Sequence, residues 1–386
     1  MRVLVVPKWY PWPEHPVFGV FCREHAAALA TRHDVVVLAS LFTPDADFPI
    51  YRLTDQVEDG IRTLRVRYRR PRLRPLSLVC QLIGMLAAIR VLRREGWKPD
   101  IVHAHVYTAA LPALAIGRLV KAPVVVTEHY TGFGRGLITG YERLLARIAL
   151  EQADLVAPVS DELAGSLREL APRARLVTVP NVVDTEAFAP GPSRAAHTPA
   201  RLLNVAALAE KKGHAHLIAA IAQLPEVALD VVGDGELRER LERRVASLGL
   251  SDRVSFLGER TKAEVADLMR AADLFVLPSL AENLPVVLIE AMASGLPAVA
   301  TAVGGVPEML DRESGALVPP ADDRALAAAI RETLARDFDP AAMAATARQR
   351  YGYATISARW TELYSELRNS RGRTSSATRR RISGSE

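Results

Sequence analysis

Cysteine is nearly absent. Only Cys22 and Cys80 occur in 386 residues, far apart and in no Cys-x-x-Cys pair. A disulfide framework or a cysteine-based zinc site is therefore disfavoured, and the usage suits a reducing compartment. Long apolar runs are also missing. Leu76 to Ile89 falls short of the roughly 20 residues a spanning helix needs, and Met1 to Pro7 is too short an apolar run for a signal peptide. The expectation is a cytoplasmic chain without a transmembrane segment. Acids are absent between Arg62 and Arg74, where seven arginines fall; five more crowd the last sixteen residues. Both clusters could meet an anionic surface. Tyr68 is the only aromatic among the first group, so the stacking platform of a single-strand nucleic-acid binder is lacking.

What is present is globular: 49% hydrophobic and 24% charged residues, with a net charge of +5. A single core rarely grows past about 250–300 residues, so two domains are expected. Short apolar runs alternate with helical patterns throughout. Val3–Val6, Val35–Ala39, Ile101–Ala104, Val124–Thr127, Leu155–Val159 and Leu176–Val179 read as strands in the first half. Leu202–Ala206, Ala228–Val232, Val254–Leu257, Leu274–Leu277 and Ala298–Thr301 follow in the second. Continuous rather than alternating runs imply strands covered on both faces, hence parallel sheets with right-handed crossovers. The rhythm lapses at Phe188 to Ala200, which holds three prolines and a glycine. The reading is α/β: two doubly wound domains, 1–190 and 201–350, joined by a linker at 191–200. A helix over 351–368 carries Trp360 and Tyr364 on one stripe, and the basic tail 369–386 has nothing to bury. In such sheets ligands bind beyond the carboxyl ends of the strands, so a cleft between the domains is the expected site.

The strongest motif runs from Pro278 to Pro297 and follows the strand Leu274–Leu277. Pro285 suits a first helical turn. Glu282 then lies in the preceding loop and Glu290 inside the helix, about 7.5 Å along its axis from Pro285. Free N–H groups at the helix mouth favour a phosphate between the two carboxylates. Taken alone, two glutamates also fit an ordinary core helix with surface acids. Three further segments stand just after strands: Ala207 to His214 with Lys211, Lys212 and Gly213; Val231 to Glu236 with Gly233 and Gly235; and Gly304 to Glu308. A glycine allows close approach of a ligand, and a lysine beside it can neutralise phosphate.

In this order and spacing the segments resemble the family 4 glycosyltransferases of the GT-B fold, over nearly the whole chain. The specific part is Glu-x7-Glu, Glu282 to Glu290, with Gly-Gly-Val-Pro-Glu308 behind it. Pro16 to Phe21, Pro99 to His105, Thr127 to His129 and Pro180 to Asp184 match more loosely. The opening Pro-x-x-Gly-x-Phe is similar to that of bacterial cell-envelope polysaccharide enzymes, the teichuronic-acid type included. The resemblance implies a retaining transferase, without a divalent metal or other cofactor, moving a sugar from a nucleotide-diphosphate donor to a hydroxyl acceptor. Lys212 would pair with the diphosphate, assisted by backbone near Gly19, Gly213 and Gly233 and at Asn283, Leu284 and Val286. Glu290 would hold the ribose hydroxyls and Glu282 the transferred sugar. His129 would face the reacting centre, with His105 and Glu128 on the acceptor side. The last helix would cross back to the N-terminal domain. A GT-B epimerase, acting on donor alone, and a catalytically silent binding or scaffold relative are the rival readings. The family's usual arginine ahead of Lys-Gly is replaced by Ala207, which favours the silent relative, whereas Lys212, Glu282 and Glu290 oppose it. No Gly-x-Gly-x-x-Gly follows the first strand, which disfavours a dehydrogenase.

His103 and His105 are expected on opposite faces of their strand, one packed and one lining the cleft, a poor arrangement for joint metal binding. His214 and His216, at a helix start, are expected on the surface. The arginines from Arg62 onward read as a loop before an apolar helix ending at Arg94. Arg62–Arg94 would form an interfacial element at an anionic membrane surface, near a lipid-linked acceptor.

Overall fold

The apolar runs become the strands of two sheets. A computed structural model describes residues 1–45, 47–70, 74–191 and 197–382, with side chains at 74–75 and 371–382 left undescribed. The core of the proposed linker, 192–196, and the last four residues of the basic tail lie outside the described residues. The chain divides into two units: Met1–Val159 with Ala164–Val179 and Ile356–Glu386, and Ser160–Leu163 with Pro180–Thr355. The main break thus falls at 180, eight residues before the Pro/Gly-rich stretch.

In the first unit the elements are β1 (Arg2–Pro7), α1 (Val20–Ala30), β2 (Asp34–Thr43), β3 (Tyr51–Glu58), β4 (Ile61–Arg69), α2 (Arg74–Arg94), β5 (Ile101–His105), α3 (Tyr107–Val120), β6 (Val124–Glu128), α4 (Gly140–Gln152), β7 (Leu155–Pro158) and the body of α5 (Asp161–Leu170). The sheet order is β3-β4-β2-β1-β5-β6-β7, parallel except for β3. Without β3, this is the doubly wound order 3-2-1-4-5-6, whose direction of winding reverses between β1 and β5. The expected strand Leu176–Val179 shortens to a parallel bridge between Leu176 and Val156, although Val177 and Val179 also donate to the Val156 and Pro158 carbonyls at 3.0 Å each.

β3 and β4 correct the expectation of an arginine-rich loop. Asp59 and Gly60 both have positive φ, 47° and 79°, the conformation of a tight hairpin turn. The Asp-Gly pair was the available signal, and the arginines obscured the period-two set Leu64, Val66 and Tyr68. That set is buried, with Val66 packed against α2 where Gly84 leaves no Cβ. Carboxylates reach these arginines from other segments. Arg62 pairs with Asp55 and Glu95, Arg65 with Glu58, and Arg67 with Glu14.

Helix α2 is long and apolar enough over Leu76–Arg94 to cross a membrane by length and composition alone. It packs on β4, β3 and β2, burying Met85, Ala88, Ile89 and Leu92, while Leu76, Leu78, Val79 and Ile83 stay exposed.

The second unit contains β8 (Ala200–Val205), α6 (His214–Ile221), β9 (Val227–Val232), α7 (Arg238–Ser247), β10 (Val254–Gly258), α8 (Lys262–Ala271), β11 (Leu274–Leu277), α9 (Val286–Ala293), β12 (Ala298–Thr301), β13 (Gly315–Val318), α10 (Asp323–Leu334) and α11 (Pro340–Tyr351). All six strands are parallel, in the order β10-β9-β8-β11-β12-β13. This is again 3-2-1-4-5-6, with the reversal between β8 and β11. Leu202, Leu229, Leu274 and Val299 place its core between the sheet and the helices.

The last helix, α12 (Tyr353–Ile382), belongs with the first unit from Ile356 onward. Trp360 and Tyr364 are fully buried there and stacked at 5.5 Å. The helix runs through residues 369–382, where composition predicts no ordered structure.

Candidate active site

The winding of the sheet reverses between β8 and β11, and ligands in such a sheet usually sit past the carboxyl ends of the strands at that point. The loop after β8 delivers Lys212, and the loop after β11 delivers Ser279 and Glu282. Lys212 Nζ donates to Glu282 Oε1 at 2.5 Å, and Ser279 Oγ donates to the same oxygen at 2.8 Å. Both charged side chains are largely enclosed, 16% and 7% exposed. Thr301 Oγ1, at the end of β12, donates to the Ser279 carbonyl and ties a third strand end to the cluster. Ser279 was missed from the sequence. Its place three residues before Glu282 was the only signal.

Glycines at two positions make this assembly possible. Gly213 has φ +68°, and a Cβ there would lie 2.0 Å from the Pro278 carbonyl oxygen. Gly304 has φ +53°, and its Cβ would lie 2.0 Å from the carbonyl oxygen of Glu282. In both places backbone, rather than a ligand, occupies the space that the missing side chain leaves. Gly233 likewise abuts the Ala206 carbonyl. Ala207 is exposed on the loop after β8.

Pro285 stands at the N-cap of α9, one position earlier than the sequence suggests, and Val286 begins the helix. Glu290 is half-buried on the second turn. Asn283 is buried, and its carbonyl accepts the Gly305 N–H at 2.7 Å. The Leu284 carbonyl accepts from Asn181 Nδ2 at 2.6 Å. Glu308, the last residue of Gly-Gly-Val-Pro-Glu, accepts the N–H groups of Asp161 and Glu162 at 3.0 Å each, capping the start of α5. His214 is buried rather than on the surface, 2% exposed, with neither ring nitrogen hydrogen-bonded. Burial and the neighbouring Lys212 lower its pKa to about 4.

In the first unit, the ends of β5 and β6 carry the histidines. Contrary to expectation, His103 and His105 share a face, their rings stacked 4.7 Å apart and 18° from parallel. Residues i and i+2 of a strand project the same way. Both are fully buried, which keeps them neutral with pKa values well below 6.5. His103 bonds Tyr364 and Thr127 at 2.6 Å, so its role is packing. His105 Nδ1 lies 3.0 Å from His129 Nε2. His129 is 9% exposed and packs on Phe21 and His25. Glu128 accepts three backbone N–H groups, from Tyr107, His129 and Tyr130, and so fixes the turn that presents His129. Burial nevertheless pushes its pKa up to about 7. Gly19, with φ +75°, is the N-cap of α1 and lies against the Trp9 backbone. The structure therefore gathers Lys212, Gly213, Ser279 and Glu282 in one unit, and His105, Glu128 and His129 in the other.

Comparison with known proteins bears on what these groups serve. Residues 18–187 match the model described as Glycosyltransferase Family 4, and residues 187–350 that of Glycosyl transferases group 1. The amylovoran biosynthesis glycosyltransferase AmsK of Erwinia amylovora is 33% identical over 68% of this chain and 69% of its own. The chain is a family 4 glycosyltransferase. Glycogen synthase of Mycobacterium tuberculosis is 28% identical, with 94% of each chain covered. Among solved structures, sucrose-phosphate synthase from Thermosynechococcus elongatus aligns with a TM-score of 0.76 at 23% identity, over 95% of this chain and 98% of that one. Anabaena HepE in complex with UDP-glucose gives 0.72 at 21% identity, over 95% and 100%. The fold is GT-B, and the protein is a transferase. In this glycosyltransferase the Glu-x7-Glu segment spans the loop after β11 and the first turns of α9, with its first glutamate ion-paired to the lysine of the loop after β8.

Proposed function

We propose that this glycosyltransferase moves a sugar, with retention of anomeric configuration, from a nucleotide-diphosphate donor to a hydroxyl of a polysaccharide or lipid-linked precursor. The observation that carries the reading is the enclosed Lys212–Glu282–Ser279 cluster past the carboxyl ends of β8 and β11. A lysine there neutralises a diphosphate, and the first N–H groups of α9 favour the same anion. The bond from the anomeric carbon to the diphosphate oxygen breaks, the acceptor oxygen takes its place, and a nucleoside diphosphate leaves. Lys212 and the dipole of α9 stabilise the charge that develops on that leaving group, so turnover needs no divalent metal. Glu290 orients the ribose, Glu282 a sugar hydroxyl, and His129 the reacting centre. The names of two similar proteins support the class: one made for amylovoran, one holding UDP-glucose.

The acceptor side works at the cytoplasmic face of a membrane. Arg62, Arg65 and Arg67 are ion-paired, so this reading rests mainly on the exposed Leu76, Leu78, Val79 and Ile83 of α2. Equal sedimentation with neutral and anionic liposomes would remove its electrostatic part.

The donor test is thermal stabilisation by UDP, GDP, ADP and TDP. A nucleotide at 100 times its Kd adds about 2.7 kcal/mol. One base stabilises the wild type, and Lys212→Ala and Glu290→Ala abolish the effect. If none binds, the donor-site assignment of Lys212 and Glu290 fails.

A further inference from the structure

The first unit holds a set of three donor residues of which the proposed transfer step uses only His129. Cys22, His105 and His129 each offer one ligand atom, and these atoms lie within 4.8 Å of one another, all three residues being buried. They come from α1, the end of β5 and the residue after β6, so no sequence spacing announces them. A tetrahedral ion with nitrogens at about 2.0–2.1 Å would place them roughly 3.3 Å apart. The His105 Nδ1 to His129 Nε2 separation of 3.0 Å is close to that figure. His105 Nε2, on the other edge of that ring, has no hydrogen-bond partner despite full burial. Charge also favours a cation. The imidazole of His105 is held neutral by burial, and the buried carboxyl of Glu128 acts electrostatically on the Cys22 sulfur. A divalent ion with one thiolate and two neutral imidazoles carries +1, and the Glu128 carboxylate brings the site to zero.

We propose that Cys22, His105 and His129 form a binding site for a thiophilic divalent cation of the zinc type, with a fourth position left open, and that its occupation inhibits transfer. Binding forms one metal–sulfur and two metal–nitrogen bonds and releases the Cys22 thiol proton to solvent. The inhibitory half rests on the role of His129 proposed above, because the ion takes the His129 nitrogen. The binding half does not.

Cobalt(II) titration of the reduced full-length protein tests the binding directly. The expected result is one equivalent bound, with a thiolate-to-cobalt charge-transfer band that zinc displaces. Cys80→Ala keeps the band. Cys22→Ala loses it and weakens zinc binding at least about tenfold, the lower bound for loss of a group that only supports a ligand. His105→Gln weakens it likewise, and unchanged thermal unfolding of these variants shows that they are folded. Absence of the band, or its survival in Cys22→Ala, overturns the site. Zinc bound at the site with undiminished transfer overturns the inhibitory half and the role of His129. UDP stabilisation through Lys212 is measured separately and stands or falls on its own.

Discussion

Lys212→Met removes the charge and keeps most of the stem, leaving Glu282 with Ser279 as its remaining donor in the cluster. At 2.5 Å the pair attracts by about 6–7 kcal/mol at an effective dielectric constant of 20. Desolvation of two largely enclosed groups offsets much of this, several kcal/mol for each ion. What the single substitution exposes is the cost of an uncompensated enclosed carboxylate, about 3 kcal/mol. Glu282→Gln in the same background removes that charge while keeping the Ser279 contact, so the double variant should return to within about 1 kcal/mol of wild type. All four tryptophans, at 9, 12, 97 and 360, belong to the first unit. Tryptophan emission therefore cannot follow the loss, and denaturant melts must be read by circular dichroism or by hydrogen exchange in α9. A single-variant loss under about 1 kcal/mol would refute the reasoning, because it would mean the pair is solvated like a surface salt bridge.

Two other outcomes follow from burial and backbone shape. His214 has a folded-state pKa of about 4 against an ordinary 6.5, so its contribution is present above 6.5 and is lost as pH falls. At pH 5 that loss is about 2 kcal/mol, and His103 and His105 act in the same direction. Glu128, raised to about 7, acts oppositely, adding stability as pH falls from 7 towards 4.5. The comparison is therefore wild type against His214→Leu: the variant should lose about 2 kcal/mol less between pH 7 and 5, and equal slopes would show that His214 is hydrated. Gly213→Ala meets both a left-handed φ and the Pro278 carbonyl at 2.0 Å, so it should cost more than about 2 kcal/mol and abolish UDP stabilisation. A fully stable, nucleotide-binding Gly213→Ala protein would show that the two loops can separate freely.

Much of the fold was legible because burial on both faces of a parallel sheet leaves continuous apolar runs. β1, β5, β6, β11 and β12 were read within about a residue at each end. β3 and β4 were not, since a hairpin at a sheet edge alternates and its arginines concealed the pattern. The donor-side residues stood out because close backbone approach demands glycine next to strand ends, and both traits are local in sequence.

Other features are not local. The partners of Arg62, Arg65 and Arg67 come from a hairpin strand, from the end of α2 and from Glu14, and only folding brings them within reach. His103 and His105 needed only the correct strand parity, but the burial of the His103 ring depends on Trp360 and Tyr364, more than 250 residues away. The cluster of Cys22, His105 and His129 is a tertiary fact alone. Two doubly wound sheets, with a lysine and two glutamates placed after their strands, could be read from the chain alone, because patterning and turn chemistry act over a few residues. Which charges meet, which histidines lose water and which soft ligands converge was decided by packing, because those energies depend on distances that chain spacing does not set.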